Sequence, residues 1–388
     1  MWTYRLSLMS VCGLLLLIIA VTGLASAEEK YGYVDTTGKL VIPPLFRSAE
    51  PFSEGLAAIQ TETDGKWGYI DKTGTVVIPA EFVTAESFSE GLARVRTEAE
   101  GEYAYIDKTG KITISLHYKT ISNATGGRFH NGLARIREGG KVGFIDTTGK
   151  VVVPAQFTNV DWPFSEGLAA MRMDGKRGYI DTTGKVIISP LFDQALGFSN
   201  GLAPVRIRNK WGYIDRTGEI VIPPQFGCPF SFSEGLVETF SEDVRKWGYM
   251  DKTGTLVIPA VFTSVRPFSE GLAAIQIEKG GKYGYIDTTG RVVILPSFAR
   301  VAGFSEGLAA VQTETDGRWG YTDKTGTVVI PPKFATANSF KAGLAAIQTE
   351  TDGKWGYINR TGKLVAPPQF EEVGTFIDGL AVVAVAAK

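Results

Sequence analysis

Aromatic and β-branched residues along this chain come in short runs that stop at polar turns, and the runs recur at a fixed interval. In one interior stretch, Lys66-Trp67-Gly68-Tyr69-Ile70 is followed by Asp71-Lys72-Thr73-Gly74, then by Thr75-Val76-Val77-Ile78 and Pro79. The first run carries strand-forming side chains and the Asp-x-Thr-Gly step has turn chemistry. The second run is a partner strand that proline ends, because proline offers no backbone donor. A loop then passes Phe82 and reaches Phe88-Ser89-Glu90-Gly91, after which Leu92 opens a third run. Turns such as Thr63-Asp64-Gly65 join that run to the next signature, so each unit predicts a three-stranded antiparallel meander. No long window holds the helical period, and glycine and proline punctuate every unit.

The signature begins at residues 30, 66, 102, 141, 176, 210, 246, 282, 318 and 354. A period of about 36 residues marks a stacked or ring-like repeat architecture. The segment GLAAIQTETDGKWGYI from Gly55 recurs unchanged from Gly343, which points to duplication. A single all-β repeat domain over residues 28–388 is therefore expected. Each unit is too small to fold alone, so neighbours must share a core. Tyr69, Phe82, Phe88, Leu92 and their counterparts are the candidates for it. The turn glycine, Gly74 in this unit, is present in all ten copies, as suits a backbone position with positive φ. The Asp ahead of it is expected to cap the turn, a role that Asn359 fills in the tenth copy. The overall shape expected is an open, curved array of ten three-stranded units. The alternative is a closed, propeller-like ring in which the apolar end, Leu380 to Val385, pairs with the first unit.

Residues 1–27 have the order of a secretory signal peptide. Arg5 is the only charge, an apolar run from Val11 to Leu24 follows, and Ala25-Ser26-Ala27 precedes Glu28. A secreted, periplasmic or envelope-associated protein is expected, with no membrane span after cleavage. Lys and Arg number 40 against 41 Asp and Glu, so net charge gives no case for nucleic acid. Only Cys228 lies beyond the leader, which leaves no internal disulfide to form.

The run KWGYIDKTGTLVIPAVF through PFSEGLAAI, as at Lys246 to Ile275, resembles the WG β-repeat family of bacterial proteins, and the resemblance spans residues 30–388. It implies an exported or envelope-associated bacterial protein but brings no activity with it. Departures fall in the third unit, where Glu102-Tyr103-Ala104-Tyr105 replaces the signature, and in the fourth and fifth, where Val142 and Arg177 replace Trp.

Candidate chemistry is sparse. His117 and His130 are the only histidines and lie outside any metal-ligand spacing, and no nucleophile elbow, zincin motif or phosphate loop occurs. No cofactor, metal site or catalytic residue is expected, and the protein is read as a non-enzyme. The Glu of Phe-Ser-Glu-Gly, for example Glu270, is expected on a solvated loop face. Two periodic features remain as binding candidates. One is the aromatic row at the second signature position: Tyr31, Trp67, Tyr103, Trp211, Trp247, Tyr283, Trp319 and Trp355. The row is expected at the rim, partly open, where rings can stack on sugars or partner side chains. The other is a row of Lys or Arg at the turns, such as Lys72, Arg216 and Arg360. The expected function is a scaffold that binds a protein or an envelope polymer, anionic or glycan, through repeated weak contacts. A carbohydrate or cell-wall-binding module is the alternative.

Overall fold

The computed structural model describes residues 29–61, 64–98, 101–115, 127–313, 317–350 and 353–386. The leader therefore lies outside the described residues, as does the loop around His117 and Tyr118. Every element among the described residues is a strand, and the strands form ten small antiparallel sheets.

In a representative sheet the order is Ser48–Ala49, Leu56–Gln60, Trp67–Asp71 and Val76–Phe82. The last three are the strands expected from sequence. The first is a two-residue strand inside what the sequence presents as loop, and it makes the unit a four-stranded blade. Eight sheets have four strands, and the two built on Leu133–Glu138 and Leu236–Ser241 have three among the described residues.

The chain closes on itself, and the open array is thereby corrected. Glu29–Asp35 pairs with Leu380–Ala386 through all seven residues, from Glu29 opposite Ala386 to Asp35 opposite Leu380. The first and last segments so complete one mixed blade, in the order Leu40–Phe46, Glu29–Asp35, Leu380–Ala386, Glu372–Val373. The result is a ring of ten blades resembling a propeller. The physical reason is edge satisfaction: two bare strand edges with apolar side chains remove each other from water.

The core lies between blades rather than within them. Leu56, Ala58, Tyr69, Ile78 and Phe82 of one blade pack with Phe88, Ala93, Val95 and Ile106 of the next. Tyr69 and Phe88 meet at a ring separation of 4.9 Å. The Tyr69 hydroxyl crosses the same boundary and donates to the Glu86 carbonyl at 2.8 Å. The same bond, 17 residues on, joins Tyr33 to Glu50, Tyr249 to Arg266 and Tyr357 to Gly374, and in the longer third unit Tyr105 reaches the Gly127 carbonyl 22 residues on. In the fourth signature Phe144 has no hydroxyl, and it stacks instead on Trp162.

The signature glycine has a steric cause. Trp67 pairs with Phe82 and Tyr69 with Ile78, so two residues of one strand span four of the other. The slack bulges over Gly68, where an added Cβ would stand 2.6 Å from the Ile78 carbonyl oxygen. The third unit has Ala104 at this position, and its partner strand is described only to Ser115.

Candidate binding surface

Each blade has two chemically different ends. The Asp-x-Thr-Gly turns and the Phe-Ser-Glu-Gly loops share one end, because the Leu56–Gln60 strand starts where the Trp67–Asp71 strand finishes. The hairpin joining those two strands forms the other end. The aromatic row belongs to the hairpin end and the turn lysines to the opposite one, so the two candidate features do not converge.

At the turn end the backbone is held in register from blade to blade. Asp71 Oδ1 accepts from Thr73 N–H at 2.8 Å, Thr73 Oγ1 at 2.6 Å and Thr75 N–H at 3.0 Å. The Thr73 hydroxyl, with these backbone bonds, holds its carboxyl below the ordinary value. Asn359 makes the same three bonds. Turn glycines run from φ +78° at Gly362 to +90° at Gly218, as required of a left-handed position.

The Phe-Ser-Glu-Gly loop corrects the expectation of a merely solvated face. Glu54 and Gly55 both take positive φ, 53° and 89°, and make a tight reversal closed by Ser53 and Leu56. Ser53 Oγ then donates to the Phe88 carbonyl of the next loop at 2.7 Å, and Glu54 Oε2 accepts the Gly91 N–H at 3.0 Å. The clip repeats at Glu234 with Gly271, Glu270 with Gly307 and Glu306 with Gly343. Lys108 and Lys324 from the following turns pair with Glu54 and Glu270, each at 3.2 Å. Lys72 pairs likewise with Asp378 at 3.6 Å, so that these members of the turn-end basic row are engaged between blades.

At the hairpin end, each aromatic of the row stands opposite the last residues of the Gly-Leu strand, as Trp67 does opposite Gln60. Trp67, Tyr103, Tyr283, Trp319 and Trp355 are half-buried, packed against the inter-blade cores with part of each ring open. Trp211 is buried, and Trp247 is flanked by Phe230, edge-on at 5.6 Å, and by Phe240, tilted at 5.1 Å. Tyr31 donates to Glu372 at 3.2 Å, and burial together with that carboxylate pushes its hydroxyl up to about 12. Arg177, in the slot of the fifth unit, is half-buried and paired with Asp161 at 2.8 Å. The row places one residue in each of eight blades around the ring.

Several features escape a reading by residue pattern. The first residue of every proline strand is exposed and apolar, as at Val76 and Leu256. His130 lies edge-on to Trp162 at 5.7 Å. Among the described residues no three His, Cys, Asp or Glu side chains gather as a metal site, and no helix is long and apolar enough to cross a membrane. A cavity of about 210 Å³ opens between the last two blades, lined by Ser305, Asn338, Lys341, Tyr357 and Phe376 among others.

The family model described as "WG containing repeat" matches ten times, at residues 31–67, 67–99, 103–141, 143–176, 178–211, 211–238, 247–283, 283–314, 319–355 and 355–388. No curated protein matches the chain in sequence. Similar solved structures include a eukaryotic initiation factor, at 12% identity over 78% of this chain and 95% of that one, with a TM-score of 0.43. The dihydro-heme d1 dehydrogenase NirN is 12% identical over 86% of this chain and 77% of its own, with a TM-score of 0.36. Virginiamycin B lyase from Staphylococcus aureus is 11% identical over 93% and 100% of the two chains, with a TM-score of 0.25. At these scores none bears on what the chain does.

Proposed function

Since this chain belongs to the family of WG-containing repeat proteins, we propose that it is an exported, non-enzymatic scaffold that holds a protein or an envelope polymer by repeated weak contacts. The observation that carries the reading is periodic presentation: successive hairpin ends carry a partly open aromatic ring at one position. Weak contacts in register on one rigid body multiply, because each later contact forms within the same complex. Rigidity comes from the other end, where serine and glutamate clips tie each loop to its neighbour. The export part of the proposal rests on the order of residues 1–27.

A carbohydrate or cell-wall-binding module is the second reading, favoured by half-buried indole rings such as those of Trp319 and Trp355, whose open faces suit sugar rings. An affinity pull-down from envelope extract combined with a glycan array separates the two. Loss of reproducible glycan binding on changing Trp247 and Trp319 to Ala supports the carbohydrate reading. A protein partner captured equally by both forms supports the scaffold. No reproducible ligand in either assay contradicts both.

A further inference from the structure

One sector of the hairpin end differs from the rest in the residue that faces the aromatic row. In the sheets of the second, eighth and tenth signatures, the residue opposite the aromatic row is Gln60, Gln276 or Gln348. Each of these amides bonds to its own hairpin, at 2.6 Å to the carbonyls of Gly65, Gly281 and Gly353. In the third to sixth sheets the same position is Arg96, Arg137, Arg172 and Arg206, opposite Tyr103, Val142, Arg177 and Trp211. Four consecutive blades thus exchange an amide that bonds the hairpin backbone for a guanidinium that makes no such bond among the described residues, and Arg96 and Arg206 lie instead over the Tyr103 and Trp211 rings at 5.5 and 5.9 Å.

Two residues earlier on the same face stand Arg94 and Arg135, and the charges crowd. Arg135 feels Arg137 and Arg94 as neighbouring cations. Arg94 is buried, lies 4.4 Å over the Tyr103 ring and is paired with Glu86. Arg177 takes both oxygens of Asp161, at 3.0 and 2.8 Å. Asp161 also lies within the field of Arg135, and Asp193 near Arg206 bonds Lys176 at 2.6 Å. Among the described residues, no ion pair joins Arg96, Arg137, Arg172 or Arg206 to a carboxylate. The Nε groups of Arg96, Arg135, Arg137 and Arg206 lie out of water without an acceptor. Three of these, in Arg96, Arg137 and Arg206, stand at the same register of the third, fourth and sixth sheets, and a donor left without an acceptor is unfavourable.

We propose that this arc docks a linear acidic polysaccharide, whose carboxylates step from guanidinium to guanidinium across the four blades. The proposal rests on the binding-scaffold reading and assigns the ligand of one sector. Two observations favour a sugar carboxylate. Beside the arc, Arg94 and Arg177 already hold carboxylates of the chain itself, Glu86 and Asp161, and a guanidinium fork matches that planar group. The aromatic row also continues on both sides, at Trp67 and Trp247, and gives way to Val142 and Arg177 only within the arc. A polymer with apolar ring faces and regularly spaced acids suits that alternation.

The test is binding of the full chain to polygalacturonate, to its methyl ester, which lacks the charge, and to polyphosphate. Polygalacturonate is expected to bind, to weaken as salt rises, and to exceed its methyl ester at least tenfold. Replacing Arg96, Arg137 and Arg206 together by Gln, the residue of four other blades, is expected to remove at least tenfold of that affinity. Should that variant not fold, the unaltered chain still reports. Polygalacturonate is expected to slow phenylglyoxal modification of Arg137 and Arg172 while leaving Arg216 and Arg360, at the turn end, unprotected. Affinity unchanged by the triple substitution, absent protection of Arg137 and Arg172, or tighter binding of polyphosphate each overturns the proposal. Those results alongside a positive envelope pull-down count against the arc alone, whereas a negative pull-down counts against the scaffold reading.

Discussion

Glu270 shows how a residue that reads as surface decoration takes part in assembly. Burial works against its charge, but the Gly307 N–H and Lys324 outweigh that effect and hold its carboxyl below the ordinary value. The bond spans 37 residues and two blades, so nothing in the local pattern of Phe-Ser-Glu-Gly announces it. The tyrosine hydroxyl is hidden for the same reason: residue type predicted burial of Tyr249, but not its carbonyl partner in the next blade. By contrast, the buried rings were legible, because Phe268 and its counterparts stay aromatic at a fixed register, and Phe268 is 2% exposed. The exceptions are Leu92, half-buried where its counterparts Leu56 and Leu133 are buried, and Phe46 and Phe226, half-buried where their counterpart Phe82 is buried. Phe268→Ala is expected to destabilise by about 3–5 kcal/mol, as truncation of a buried ring does. Glu270→Ala is expected to cost about 1 kcal/mol, the net worth of one hydrogen bond, rather than the near-zero effect of a solvated side chain. Ala342 holds nearly the same positive φ, 53° against 54° at Glu270, so that substitution adds no further backbone strain. Thermal and denaturant melts of the two variants check the order, and equal losses would refute this division between core and clip.

At the scale of the element, the hairpin of Trp67–Asp71 and Val76–Phe82 was legible because turn and strand chemistry lie side by side in the chain. The strand Thr84–Ala85 was not, since two residues carry no periodicity and its partner, Val95 with Arg96, comes only after the Phe-Ser-Glu-Gly reversal. The Asp turn makes a pH prediction. The nine turn aspartates, from Asp35 to Asp323, all have folded-state values below the ordinary one. A depressed folded value means that the contribution is present above the unfolded value, about 4, and is lost as pH falls through the folded one. The melting temperature is therefore expected to hold at neutral pH and to fall steadily below about pH 4. Asp251→Asn, which copies the natural Asn359, is expected to melt as the parent does at neutral pH and to lose less on acidification. A parent melting temperature that stays flat down to about pH 2 would contradict the capping role.

At the scale of the molecule, closure was readable only as an alternative. The apolar run at Leu380 to Val385 and the missing partner of the first signature were both visible, yet a pairing between opposite ends of the chain leaves no local mark. The third unit, whose successor starts only at residue 141, is longer than the rest, and an open form absorbs such an insertion without a closure constraint. Closure tolerates it: the sheet of Tyr103–Ile106 keeps the common strand order, and the extra length falls at residues outside those described. The fourth strand changes the balance as well, since four-stranded blades suit a ring in which every blade is sandwiched by two others. Lys30 and Val385 face each other across the closing pair. Opposed residues of an antiparallel pair have Cα atoms about 4.5–5.5 Å apart, within the span of a disulfide. The most direct measurement is oxidation of a dilute chain carrying Cys at positions 30 and 385 and Ser in place of Cys12 and Cys228. A closed ring forms an intramolecular disulfide in the monomer and melts at a higher temperature than the reduced form. Thiols that stay free in the monomer, or that link only one chain to another, would contradict it.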